Sequence, residues 1–272
     1  MSLTAQVAGL FYPSEPAILR RMIEGFFKNI KTKIEGSNKI QALIVPHAGY
    51  IYSGQTASKA YYQVCNAHYD RVILLGPMHR FYCSSISVYS EGVVSTPLGQ
   101  VRIDEDFSKR LIGFHHESCF IPEAYWQEHS IEVHIPFLQM ALQESWKVVP
   151  ILVGDVSPEV LDRLAGSIQS LLGNGHSSTL IVASTDFSHF QPAHKAEVLD
   201  FKGRDYILDG DSEGLLKANF REETALCGIS PVYTLLKLFP GIRPKFLDYS
   251  HSGMVSGDQN QVVGYMSFKI EA

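Results

Sequence analysis

Apolar residues follow two rhythms along this chain. Near-continuous runs at 41–45, 71–75, 147–153 and 179–183 are the length of strands. Their lack of alternation predicts burial on both faces, as in parallel sheets. Between them, apolar positions recur every three or four residues. Ile18, Leu19, Met22, Ile23, Phe26 and Phe27 predict a helix opened by Ser14-Glu-Pro16, with Ser14 as N-cap and Pro16 in the first turn. A second helix is predicted from Ser53-Gly-Gln-Thr to about Cys65, and a short one after Asp104 as its cap. Residues 128–142 read as helical through Ile131, Val133, Ile135, Leu138 and Leu142, with Pro136 marking where the helix starts. Ser157-Pro158 opens another helix, and helices follow at 193–208, 212–219 and from Cys227-Gly-Ile-Ser-Pro231 to Leu238. Closing strands are predicted at 245–249 and 262–269, and a β-hairpin from 86–89 and 101–103. Residues 31–39 read as a loop and 115–127 as irregular. This alternation predicts α/β architecture: a single domain over residues 1–272, with a mostly parallel central sheet and helices on both faces.

Composition narrows the function classes. A formal net charge of -5 over 272 residues, with no basic run, excludes an electrostatic footprint for nucleic acid. No apolar stretch is long enough to span a bilayer, and Met-Ser-Leu-Thr-Ala-Gln lacks the features of a signal peptide. Cys65, Cys83, Cys119 and Cys227 are widely spaced, which argues against a disulfide framework or a zinc ribbon. Free thiols suit a reducing cytoplasm, the expected location.

The candidate chemistry lies just beyond the predicted strands. His47 follows one in Val45-Pro-His-Ala-Gly-Tyr50 and His79 another in Leu75-Gly-Pro-Met-His79. A third strand leads into Ser184-Thr-Asp-Phe-Ser-His189, which carries Asp186 and His189. Ligands of parallel sheets bind beyond the carboxyl ends of strands, and neutral imidazoles are ready metal ligands. Any one of these histidines alone reads as a hydrogen-bonded loop residue. Three at equivalent strand ends favour a site. Gly76 suits close backbone approach there, and Pro46 and Pro77 stiffen the loops.

Two further places stand out. In Glu128-His-Ser-Ile-Glu-Val-His-Ile-Pro136, His129 and Glu132 would share a helix face. The spacing is not that of the zincin His-Glu-x-x-His motif. His129, between Trp126 and the 130s, reads as facing substrate or a metal's surroundings, whereas an exposed polar helix start accounts equally well for Glu132 and His134. Cys227, just before a helix, reads as a nucleophile, a metal ligand or a small buried residue, and a helix N-terminus favours its thiolate. Tyr50, Tyr52 and Trp126 read either as pocket walls or as core.

Taken in order, these segments resemble the Memo family. The likeness runs from Ala8-Gly-Leu-Phe-Tyr-Pro13 through the His47 and His79 motifs, Ser95-Thr-Pro-Leu-Gly99 and the 128–136 cluster to Ser184-Thr-Asp-Phe-Ser-His189 and Cys227-Gly228. It implies a fold like that of the class III, LigB-type extradiol dioxygenases, which hold non-haem Fe(II) with two histidines and a glutamate. In Memo-family proteins a cysteine replaces the carboxylate. Carried to this chain, the resemblance implies His47, His79 and Cys227 as metal ligands. It places Asp186 and His189 beside the metal, with His189 as an acid/base group, and His129 as a further active-site histidine. Iron is the metal the likeness favours. Thiolate softness keeps copper and zinc as alternatives. The implied function is a metal-dependent redox enzyme, the alternatives being a zinc-dependent hydrolase and a non-catalytic module that binds a peptide or small molecule. Eukaryotic members of the family are associated with motility, signalling and copper-dependent redox chemistry. Prokaryotic ones are often encoded beside AMMECR-type and radical SAM proteins, which implies a shared pathway.

Overall fold

The computed structural model describes residues 2–31, 39–143, 145–173 and 178–271. The loop expected at 31–39 lies almost wholly outside them. The elements in chain order are β1 (Ser2–Leu3), α1 (Pro16–Lys28), β2 (Ile40–Val45), α2 (Tyr50–Tyr62), β3 (Arg71–Pro77), β4 (Ile86–Val88), β5 (Val93–Thr96), β6 (Gly99–Arg102), α3 (Glu105–Phe114) and β7 (Ser118–Cys119). They continue with α4 (His134–Ala141), β8 (Lys147–Val153), α5 (Pro158–Leu172), β9 (Thr179–Ser184), β10 (His189–Gln191), α6 (Ala193–Asp209), α7 (Ser212–Phe220), α8 (Ile229–Leu238), β11 (Lys245–His251), α9 (Gly253–Ser256) and β12 (Val262–Glu271). No helix among the described residues is long and apolar enough to cross a membrane.

The large sheet runs β10-β12-β2-β9-β3-β8-β4-β7, with β11 pairing to β12 off this path. Its centre, β2-β9-β3-β8, is parallel. Its flanks are antiparallel where β12 meets β2 and β4 meets β8, so the whole sheet is mixed. The apolar runs sort by parity, as the period of two requires. Leu43, Val45, Val72, Leu74, Leu180 and Val182 pack with α1, α2 and α4 on one face. Ala42, Ile44, Ile73, Leu75, Ile181 and Ala183 pack with α5, α7 and α8 on the other. Helices therefore cover both faces, which is why these strands read as continuous apolar runs.

Several boundaries differ from expectation. Glu15, not Ser14, precedes α1, and it makes no side-chain cap. α2 begins at Tyr50, three residues before Ser53. The hairpin is formed by β5 and β6, in a small sheet with β1, while β4 joins the large sheet beside β8. The helix expected over 128–142 is ordered as α4 only from His134, so Pro136 sits in its first turn, where a missing N–H costs nothing. Asp104 caps α3 as expected, its carboxylate accepting from the Phe107 N–H.

Candidate metal centre

The site grows from strand order. β9 lies between β2 and β3, so three loops that are distant in sequence emerge side by side. The β2–β9 register pairs Val45 with Ser184. His47 and Asp186, each two residues further on, come out level, and the Asp186 Oδ1 accepts the His47 backbone N–H at 2.8 Å. The third loop brings His79, whose ring centroid lies 5.1 Å from that of His47.

Cys227 arrives from the start of α8. Its Sγ lies 3.2 Å from the His47 Nε2 and accepts the Asp186 N–H at 3.2 Å. Gly228 makes this approach feasible, because a side chain there would collide with the Ser184 carbonyl and Thr185. Gly76 does the same for the 130s, since a Cβ would stand 2.8 Å from both Ser130 and Ile131 side chains. Ligand atoms of His47, His79 and Cys227 all lie within 4.8 Å of one another.

The donor set fits a metal ion. The Nδ1 of His47 is engaged by Ser184 Oγ at 2.6 Å, and that of His79 by Glu128 Oε1 at 3.0 Å. The Nε2 atoms are left as the outward ligands, and nitrogens held this way behind a metal orient the ring. Glu128 is fixed in turn: its carboxylate also accepts the His79 and Ser130 backbone N–H groups. Burial alone would raise its pKa, but the hydrogen bonds and charge of His79 bring it down to about 2. Burial also drives His47 well below its ordinary range, reinforced by the neighbouring imidazoles, so the ring is neutral and able to ligate.

His129 completes a cluster of three imidazoles. It stacks on His79 at 4.7 Å, lies 5.2 Å from His47 and rests against the Phe11 ring at 4.5 Å. Burial lowers it to about 4, and its Nδ1 has no hydrogen-bond partner. It does not share a helix face with Glu132, because the segment before His134 is a turn, not a helix. Glu132 points the other way, accepting the Gln6 and Val7 N–H groups and the Tyr12 hydroxyl. It ties the N-terminal segment, and with it Phe11, to the site. Neither Glu132 nor His134 is an exposed polar helix start: both are buried.

Asp186 lies against the cluster, its Oδ2 4.0 Å from the His47 Nε2. Burial raises Asp186 to about 7. His189, on β10, lines an open cavity of about 530 Å³ together with Gln191, Lys195, Asn219, Thr224 and Cys227. Phe190 forms a bulge in the β10–β12 pairing with a φ of 56°, the left-handed region, and its side chain is exposed. Asp200 of α6 holds the same loop, accepting the Ser188 N–H at 2.8 Å and the Tyr249 hydroxyl at 3.1 Å. Burial raises Asp200 to about 6.

Two expectations change. The helix N-terminus does not make Cys227 a ready thiolate. Burial and the Asp186 carboxyl raise the thiol well above its ordinary value. Tyr50 is core, packed on Phe137 at 4.6 Å, whereas Trp126 is exposed. Glu128 and Ser184 were missed as partners of the histidines. Their contacts span 49 and 137 positions, and nothing local in the sequence marks them.

Comparison with known proteins bears on the fold and the family. A crystal structure of an uncharacterized protein from Escherichia coli K12 shares the fold, with a TM-score of 0.51 over 84% of this chain and 98% of that one, at 13% identity. A MEMO1 family protein of Sulfolobus acidocaldarius is 36% identical over 97% of both chains. Another, from Methanosarcina barkeri, is 34% identical over 97% of this chain and 98% of its own. The profile described as Memo-like protein matches residues 4–269, and the chain belongs to that family.

Proposed function

We propose that this protein is a metal-dependent oxidoreductase acting on a small molecule, with His47, His79 and Cys227 as the metal ligands. The observation that carries the reading is the convergence of those three ligand atoms within 4.8 Å at the carboxyl ends of parallel strands. Iron is the first candidate, on family likeness, with copper and zinc next because of the thiolate. A redox-active ion held by His47, His79 and Cys227 would supply one-electron chemistry. The chain's own groups do the rest. The cavity beside Cys227 receives the substrate. His189, on its wall, exchanges a proton with the bound molecule, and Asp186 fixes the His47 backbone at 2.8 Å with its other oxygen 4.0 Å from the His47 Nε2. His129, held against His79 and Phe11, orients substrate at the edge of the cluster. The family likeness adds AMMECR-type and radical SAM proteins as pathway partners.

The test is elemental analysis of untagged protein purified without air, followed by oxygen-uptake measurement. Iron or copper near one equivalent, lost in Cys227→Ala, supports the reading. Zinc with ester or amide hydrolysis and no oxygen uptake turns it into a hydrolase, for which two histidines and a cysteine are an adequate catalytic set. Protein that takes up no metal and is unaltered in ligand binding by His47→Ala is a binding module instead.

A further inference from the structure

We propose that Ser184, oriented by His134 and Tyr61, fixes the ring tautomer of His47 and thereby decides which nitrogen is offered to the ligand cluster. The consequence for metal binding rests on the reading of the site given above; the tautomer itself does not.

The argument is a count of protons and lone pairs. Ser184 closes β9, and its hydroxyl has one proton and two acceptor positions. Three groups surround the Oγ: the Ser130 carbonyl oxygen at 2.7 Å, the His47 Nδ1 at 2.6 Å and the His134 Nε2 at 2.8 Å. A carbonyl oxygen can only accept, so it takes the serine proton. Both imidazole nitrogens must then donate. His47 is therefore protonated at Nδ1, and its Nε2 is bare where it meets the Cys227 Sγ at 3.2 Å.

His134 is consequently protonated at Nε2, which leaves its Nδ1 as an acceptor. The Tyr61 hydroxyl lies 2.7 Å from that atom, and donates to it. The outer tyrosine, able to donate or accept, accommodates the assignment, which the inner carbonyl alone dictates. Reversing either ring would set two lone pairs or two protons face to face. Tyr61, His134, Ser184 and His47 are all buried, so no solvent can repair such a mismatch. The chain joins α2, α4, β9 and the loop after β2, and it lies on the far side of His47 from Cys227. Ser184, His134 and Tyr61 are positioning residues: they act on the site only through the His47 ring.

Long-range proton–nitrogen NMR of the metal-free full-length protein labelled with ¹⁵N-histidine reads the tautomers directly. The expected result is His47 protonated at Nδ1 and His134 at Nε2, opposite forms in one molecule. His47 protonated at Nε2 overturns the proposal without recourse to any variant. Zinc affinity, measured against a competing chelator, tests the consequence. Ser184→Ala should weaken binding about tenfold, whereas Ser184→Thr, which keeps the hydroxyl, should stay within about threefold of the parent. His134→Gln, which preserves one donor and one acceptor, should retain the Nδ1-protonated His47, while His134→Phe should broaden it into a mixture. Unchanged tautomer and unchanged affinity in Ser184→Ala would sink the proposal. Parent protein that takes up no zinc, iron or copper but shows the expected tautomers would end the metal reading and leave this assignment standing.

Discussion

His47 and His79 stand at equivalent places, each two residues past the end of a parallel strand, yet they are held in different ways. His47 is buried and backed by a neutral hydroxyl. His79 keeps 27% of its side chain exposed and is backed by the Glu128 carboxylate. Burial explains the division. Behind His47 a carboxylate would carry a charge into the core, where Asp186 already stands, and unpaired buried charge is expensive. Behind His79 the carboxylate has two backbone N–H donors as well as the ring, so its charge is accommodated. A carboxylate partner also makes an imidazole the stronger donor. The two ligands are therefore unequal: His79 is the electrostatic anchor, and His47 is the geometrically locked one.

Removing a ligand outright should have the largest effect. His79→Ala or Cys227→Ala should lower metal affinity by more than about 100-fold, beyond the range of a lost outer partner. Equilibrium dialysis checks this, and stoichiometric metal in both variants would dissolve the site. Next, Glu128→Gln should weaken binding by about 10- to 100-fold, and by more than the loss of the Ser184 hydroxyl. If the two losses are equal, the contrast between the histidines is only geometric.

A third prediction concerns the His189 loop, which is tied by a buried charge rather than by a neutral group. The folded pKa of Asp200 is raised to about 6, above its ordinary carboxylate value. The Asp200 carboxyl then holds its proton more fully in the folded protein than in the unfolded chain between about pH 4 and pH 6. Asp200's own contribution to stability should fall as pH rises through that window, by roughly 3 kcal/mol in all, on top of the slopes that Asp186 and the buried histidines add over the same range. Urea unfolding across pH reads this contribution as the difference between the parent and Asp200→Asn profiles, because both proteins share the other groups. The same slope in both would place its origin elsewhere.

The smallest effect is expected at Phe190. Its left-handed backbone tolerates glycine, so Phe190→Gly should change stability by no more than about 0.5 kcal/mol. A β-branched Phe190→Val should cost about 1–2 kcal/mol, because branching at Cβ sets a second γ carbon against a left-handed backbone. Thermal unfolding of the pair reads the difference, and equal midpoints would mean that the bulge relaxes.

The strands and helices were legible because their signals are local. Continuous apolar runs, proline in first turns and the cap at Asp104 act over a few residues. The reading failed where tertiary contacts overrode them. α2 starts early because the Tyr50 N–H is drawn to the Phe11 carbonyl at 2.8 Å, well away in sequence. The 128–133 turn departs from the helix because Glu128 is pulled to His79 and Glu132 to the N-terminal segment. The Cys227 thiol departs from the helix-terminus expectation because burial outweighs a dipole.

By itself, the sequence determined the alternating elements and the strand-end candidates His47, His79, Asp186 and His189, with His129 as a further candidate, while the family resemblance supplied Cys227 as the third ligand. Side-chain type and distance from a strand end are properties of the local chain. Only the tertiary structure decided that β9 lies between β2 and β3, that Glu128 and Ser184 stand behind the two imidazoles, and which ring nitrogen each presents. Those outcomes depend on which distant segments share one buried space, where every polar atom must find a partner, and that choice is made by the packed molecule as a whole.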